Sequence, residues 1–136
     1  MKELEVVAAI IEYDDKILCM QRNVSKYPYT SLKYEFPGGK VEPGETNPQA
    51  LERELREEMD MDVIITDKDY FMTIHHVYPD FAITMHAYTV KVNNPAFTRK
   101  EHINHVWSLP KDMPTLDWAA ADQPIVNKLL EEFDVR

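Results

Sequence analysis

Three glutamates, Glu54, Glu57 and Glu58, stand at i, i+3 and i+4 within a run of good helix formers from Gln49 to Met59. At about 100° per residue, Glu57 lies at roughly −60° and Glu58 at roughly +40° from Glu54, so the three carboxylates share one helix face. Leu51, Leu55 and Met59 fall between about 60° and 140° and form an adjacent apolar stripe. Arg53, at roughly −100°, lies one turn before Glu57 and can pair with it. Like charges at these spacings repel, so the face is mildly destabilised until a cation is supplied. Carboxylate oxygens are hard ligands and suit Mg²⁺ or Mn²⁺. The plain alternative is a solvated acidic face.

The sequence has only three glycines, Gly38, Gly39 and Gly44, all just upstream of these glutamates. Average usage would supply roughly nine in a chain of this length. Their clustering implies unusual backbone angles, or close backbone approach, at this one place. On their own they read equally as an ordinary turn.

From Gly39 to Met61 the chain reads GKVEPGETNPQALERELREEMDM. This resembles the Nudix box, G-x5-E-x7-R-E-U-x-E-E-x-G-U with U a bulky aliphatic residue. Gly39, Glu45, Arg53, Glu54, Leu55, Glu57, Glu58 and Met61 match at the required spacing. The departure is Asp60, where the family has a helix-ending glycine. Aspartate enters the left-handed region more readily than most residues, so the local turn is in question rather than the acidic face. The opening EVVAAII, the run KILCMQR, the segment YEFPGGKVEPGE, the pair Glu101-His102 before Val106-Trp107, and Ala121-Asp122-Gln123-Pro124 also resemble MutT-like members.

The resemblance implies a Mg²⁺-dependent hydrolase, with Mn²⁺ a substitute, that cleaves a nucleoside triphosphate to the monophosphate and pyrophosphate. It implies Glu54, Glu57, Glu58 and Glu101 as metal ligands, with the Gly39 carbonyl adding an oxygen and Glu101 a candidate general base. Arg53 and Glu45 become structural support for the cluster. Arg22 and Lys40 are candidate phosphate contacts, although surface charge explains both cations equally well, and Gly38 and Gly39 are candidate substrate-binding positions. Asp122 lies where the family reads the base edge, and a carboxylate accepts hydrogen bonds from an exocyclic amine. It also fits as the N-cap of the last helix. Phe36, Tyr34 or Trp118 would stack on a base or belong to the core. The histidines show no metal-ligand spacing. Hydrolysis of CTP-type or oxidised purine triphosphates leads. The alternatives are ADP-ribose, a nucleotide sugar or a dinucleoside polyphosphate as substrate, and a non-catalytic nucleotide sensor.

The elements that must position these residues follow from pattern. Val6–Tyr13 and Lys16–Gln21 read as strands joined by a turn at Asp14-Asp15. Asn23–Lys33 is a loop, and Tyr34–Gly39 a short strand broken by a turn. Thr46 or Asn47 caps the acidic helix, with Pro48 in its first turn. Asp62–Ile65 reads as a strand, Asp69–Tyr78 and Phe81–Val92 as a second hairpin, and Val106–Leu109 as a short strand after a loop. Ala121–Phe133 closes the chain as an amphipathic helix with Ile125, Val126, Leu129, Leu130 and Phe133 on its apolar stripe. Locally paired strands with two separated helices predict an α+β fold, a mixed sheet in an α/β/α sandwich as in the Nudix fold, rather than a doubly wound sheet.

The bulk numbers set the frame. A chain of 136 residues, 44% hydrophobic and 29% charged, predicts one soluble domain over 1–136. A net charge of −9 argues against gripping a nucleic-acid polymer, while a cation can still bridge acids and a nucleotide. The lone Cys19 excludes an internal disulfide, and no signal peptide or membrane span is evident, so the expected location is the cytoplasm. The expected state is a monomer or homodimer.

Overall fold

The computed structural model describes residues 1–134. Its central strand is Lys2–Tyr13 (β1), whose apolar run is buried on both faces. Val6, Ala8 and Ile10 point to one layer, and Val7, Ala9 and Ile11 to the other. A strand buried on both sides needs a continuous apolar run rather than alternation, which is what Val6–Ile11 supplies. Lys16–Gln21 (β2) returns antiparallel to β1 through Asp14 and Asp15, both at positive φ (53° and 64°). That geometry matches the twist of a tight hairpin, and aspartate tolerates it.

The chain then crosses the sheet. Tyr34–Glu35 (β3) pairs with β2, and Gly38–Lys40 (β4) pairs with β1. The break expected within Tyr34–Gly39 is therefore a change of partner at Phe36-Pro37. The second hairpin comprises Tyr70–Val77 (β5) and Phe81–Lys91 (β6). β6 lies parallel to β1 along its whole length, from Lys2 opposite Phe81 to Glu12 opposite Lys91. Asn104–Ser108 (β7) pairs with β2. The sheet is thus mixed, in the order β3-β2-β1-β6-β5, with β4 beside β1 and β7 beside β2.

Asn47–Met59 (α1) covers one face, burying Leu51, Leu55 and Met59 against Val7, Ala9, Ile11, Leu18 and Met20. Gln123–Asp134 (α2) covers the other with Ile125, Val126 and Leu129. Leu130 is partly buried there, while the Phe133 side chain lies outside the described set. The expected α+β sandwich is present.

Several boundaries differ from the sequence reading. Asp62–Ile65 forms no ladder, so it is not a strand; the Ile65 N–H donates to Glu52 Oε2 at 2.8 Å, and Ile64 is exposed. A side chain has satisfied the backbone that a strand partner would otherwise take. β1 begins at Lys2 because β6 offers it partners that far back. β7 starts at Asn104, opposite Gln21. Pro110–Thr115 forms a 3₁₀ helix that apolar periodicity did not reveal. Among the described residues no helix is long and apolar enough to cross a membrane.

Candidate active site

A cavity of about 800 Å³ opens where β4 leaves β1, and its wall is continuous from α1 to the start of α2. Its lining includes Glu54, Glu58 and Glu101 together with Asp122, Phe36 and Tyr78.

Glu54 and Glu58 come from α1. Thr46 N-caps the helix, accepting from the Gln49 N–H, while the Gln49 side chain accepts from the Thr46 N–H, a reciprocal capping box. The cap fixes the helix start, and the buried Leu51–Leu55 stripe fixes its rotation. Glu54 and Glu58, one turn apart, then face the cavity. Glu57 does not line it; its side chain is 60% exposed, and Arg53 Nη1 donates to its Oε2 at 3.2 Å. Arg53 also donates to Glu45 Oε2 at 2.6 Å, Glu45 Oε1 at 3.0 Å, Glu54 Oε1 at 2.9 Å and the Lys40 carbonyl at 3.0 Å. Planar guanidinium geometry lets one residue tie loop to helix in this way. The same bonds hold the Glu45 carboxyl below its usual range, with Arg53 the main cause.

Two glycines permit the close packing here. A Cβ at Gly38 would stand 1.9 Å from the Val7 carbonyl oxygen, and one at Gly39 would stand 2.4 Å from the Glu54 carboxyl carbon. Gly44 has φ of 86° in the loop before α1. The helix ends at Asp60, left-handed at φ 53°, whose N–H bonds to the Arg56 carbonyl at 3.1 Å. The aspartate therefore does take the conformation a glycine would.

Burial, then hydrogen bonding to Glu54 and the nearby Glu101 charge, push the Glu58 carboxyl up to about 9. Three carboxylates gathered with no cation between them favour retaining a proton. Among the described residues no three His, Cys, Asp or Glu groups are already closed into a metal cage. The donor set nonetheless fits a hard divalent cation that keeps part of its water: carboxylate oxygens only, on a wall open to solvent.

Elsewhere in the lining, Asp122 is 5% exposed and Phe36 N–H donates to its Oδ1 at 3.0 Å. Its carbonyl accepts from Ile125 N at 3.0 Å. Asp122 thus occupies the capping position by its backbone, while its side chain reaches across to Phe36, just past β3. Burial, and then the Glu35 charge, raise its carboxyl well above the ordinary range. Glu35 is held by Arg22 Nη1 at 3.1 Å and His102 Nε2 at 2.9 Å. Arg22 Nε is buried without a partner. Phe36 stacks on Trp118 with ring centroids 4.8 Å apart, and both are buried. Tyr34 and Trp118 do not line the cavity, so the core reading holds for them, whereas Phe36 serves both core and cavity.

Of the residues singled out from sequence, Arg22, Phe36, Gly38, Gly39, Lys40, Glu54, Glu58, Glu101 and Asp122 share this one cavity. Glu57 and Arg53 do not line it, and Arg53 bonds to both Glu54 and Glu57. Glu35 and His102 were missed as members. Nothing in their local spacing marks them, because their meeting depends on β3 and the loop before β7 both lying beside β2. His75, His76, His86 and His105 do not line the cavity.

A sequence model of the Nudix domain matches residues 6–128. The chain belongs to the Nudix family. Its relatives include the CTP pyrophosphohydrolase of Escherichia coli K12, 40% identical over 133 residues, which cover 98% of this chain and 93% of that protein. The 8-oxo-dGTP diphosphatase of the same organism is 31% identical over 131 residues, covering 95% and 98%. The solution structure of the Escherichia coli ORF135 protein superposes with a TM-score of 0.83 at 36% identity, covering 100% of this chain and 94% of that one. This Nudix chain is therefore a hydrolase of MutT-like kind, and the acidic face is its box.

Proposed function

We propose that this Nudix hydrolase converts a nucleoside triphosphate, of CTP type or an oxidised purine such as 8-oxo-dGTP, to the monophosphate and pyrophosphate with Mg²⁺, Mn²⁺ being a substitute. The observation that carries the reading is one cavity lined both by the carboxylates Glu54, Glu58 and Glu101 and by a buried carboxyl, Asp122. The names of the two bacterial relatives support the substrate class.

Glu54, Glu58 and Glu101, with Glu57 from the rim and the Gly39 carbonyl, would hold the cation. When bound, the cation supplies charge neutralisation and Lewis acidity at the phosphates. Water attacks phosphorus, the bridging P–O bond breaks, and the water proton passes to a carboxylate; Glu101 is our candidate. Arg53 keeps Glu54 and Glu57 in place, and Glu45 ties the glycine loop to the helix. Arg22 and Lys40 also line the cavity and suit phosphate oxygens. Asp122 accepts from the exocyclic amine or ring N–H of the base, while Phe36 bounds the base subsite. We further propose one domain over 1–136, acting on nucleotides of the cytoplasm.

The test is hydrolysis of CTP, dCTP, 8-oxo-dGTP, dGTP, ADP-ribose and diadenosine polyphosphates with Mg²⁺, alongside Glu58→Gln. Pyrophosphate from a triphosphate, abolished in the variant, is expected. Turnover confined to ADP-ribose or dinucleotides would overturn the substrate class.

A further inference from the structure

Glu101 reaches the carboxylate cluster from the long connection between β6 and β7, and its two sequence neighbours are tied to different walls of the site. Lys100 Nζ donates to Asp60 Oδ1 at 2.8 Å and to the Glu57 carbonyl at 3.2 Å. Both acceptors lie at the C-terminal end of α1, where the helix dipole favours a cation. His102, its side chain 9% exposed, places Nε2 2.9 Å from Glu35 Oε2 on β3. The backbone is stitched at the same two places, with Thr98 N bonded to the Met59 carbonyl at 3.0 Å and Ile103 N to the Gln21 carbonyl at 3.1 Å.

Glu101 itself is exposed and lies beside Glu58. An exposed side chain is not fixed by packing, so its place depends on the backbone that its neighbours hold. Asp60 bears on this directly. It occupies the box position where the family has glycine, and it stands at φ 53°, which glycine enters without steric cost. The aspartate adds a side chain at that cost, and this side chain is spent on Lys100 and Thr98.

We propose that Lys100 and His102 are positioning residues that clamp Glu101 over the carboxylate cluster, with Asp60 and Glu35 as their respective anchors. The inference rests on the hydrolase reading above. It assigns Asp60 a purpose: the residue keeps the helix-ending turn and adds a tether for the loop that carries Glu101. It also ties Glu101 to Glu35, which lines the same cavity as Asp122.

Asp60→Gly is the decisive variant, because it restores the family residue, preserves the turn and removes only the tether. Hydrolysis of whichever triphosphate the wild type cleaves, free Mn²⁺ by electron paramagnetic resonance without nucleotide, and amide exchange at Thr98 and Ile103 would be measured. In Asp60→Gly, kcat is expected to fall about 10-fold with KM and melting temperature held, as for loss of an outer-shell partner. Mn²⁺ binding should weaken, and Thr98 should exchange faster. Adding Lys100→Met should change little further, since coupled residues are non-additive. His102→Ala should lower kcat and speed exchange at Ile103, and His102→Gln, whose amide nitrogen can still reach Glu35, should restore both. Wild-type kcat and wild-type exchange in Asp60→Gly and His102→Ala would overturn the clamp, as would a KM rise without loss of kcat. If the wild type cleaves no triphosphate, the substrate reading fails, and Mn²⁺ affinity with amide exchange still decides the clamp.

Discussion

At Glu58, burial and two neighbouring carboxylates act in the same direction and push its pKa from 4.5 to about 9. The folded chain then holds a proton that the unfolded chain releases, so this contribution to stability is fullest below about pH 4.5 and is lost as pH rises towards about 9. A divalent cation takes the proton's place. Mg²⁺ is therefore expected to raise the melting temperature more at about pH 8 than at about pH 6; equal shifts by scanning calorimetry would contradict it. A second residue-scale prediction concerns Leu32, which sits at φ 61° and is 44% exposed. A bulky side chain is strained there while contributing little burial, so Leu32→Gly should stabilise the fold by about 1 kcal/mol in urea unfolding. At this scale the sequence was most legible for the box, since helix rotation turns linear spacing into a face. Linear spacing does not separate Glu57 from the other two, whereas in the fold Glu54 and Glu58 line the cavity and Arg53 donates to Glu57. The strain at Leu32 left no trace in composition.

Among the elements, α1 was read almost to the residue because its signals are local: a capping threonine, Pro48 in the first turn, an apolar stripe and a left-handed stop at Asp60. Thr46→Ala removes the side-chain half of the capping box. It should cost about 1 kcal/mol and lower the melting temperature by about 4 °C, with kcat at saturating Mg²⁺ unchanged. A drop in kcat without a change in melting temperature would show that the cap acts on chemistry rather than on the helix. Both hairpins were also local and were found. The pairings of β1 with β6 and β2 with β7 were not, because hydrophobic alternation marks a strand's faces and is silent about its neighbours. Asp62–Ile65 shows the converse: a β-rich run whose backbone is satisfied by Glu52 instead.

The whole molecule places its two helices on opposite faces of the sheet, yet Glu54 and Glu58 of α1 and Asp122, just before α2, line the same cavity. Tyr78 lies beside Asp122 in the fold. Its hydroxyl accepts from the Ala121 N–H at 2.9 Å, next to Asp122, in a buried setting. Tyr78→Phe leaves that N–H unpaired and should cost about 1–3 kcal/mol. It should also raise KM for the triphosphate with little change in kcat, as measured by steady-state kinetics; a loss confined to kcat would argue that Asp122 is held independently. Which residues share the cavity was legible from the family pattern, but the partnership of Glu35 with His102 was not, being a product of β3 and the loop before β7 both lying beside β2.

The parallel register has a consequence for the protein's birth. β1 is made before the other strands of this sheet, yet its parallel partner begins only at Phe81 and ends at Lys91, about 80 residues later. At 5–20 residues per second the delay is roughly 4–16 s. Throughout that interval the apolar run Val6–Ile11 has one edge without its native partner, and such an edge invites pairing with other chains. The strand on which both layers of the finished enzyme rest is thus the one most in need of protection while the chain is being made.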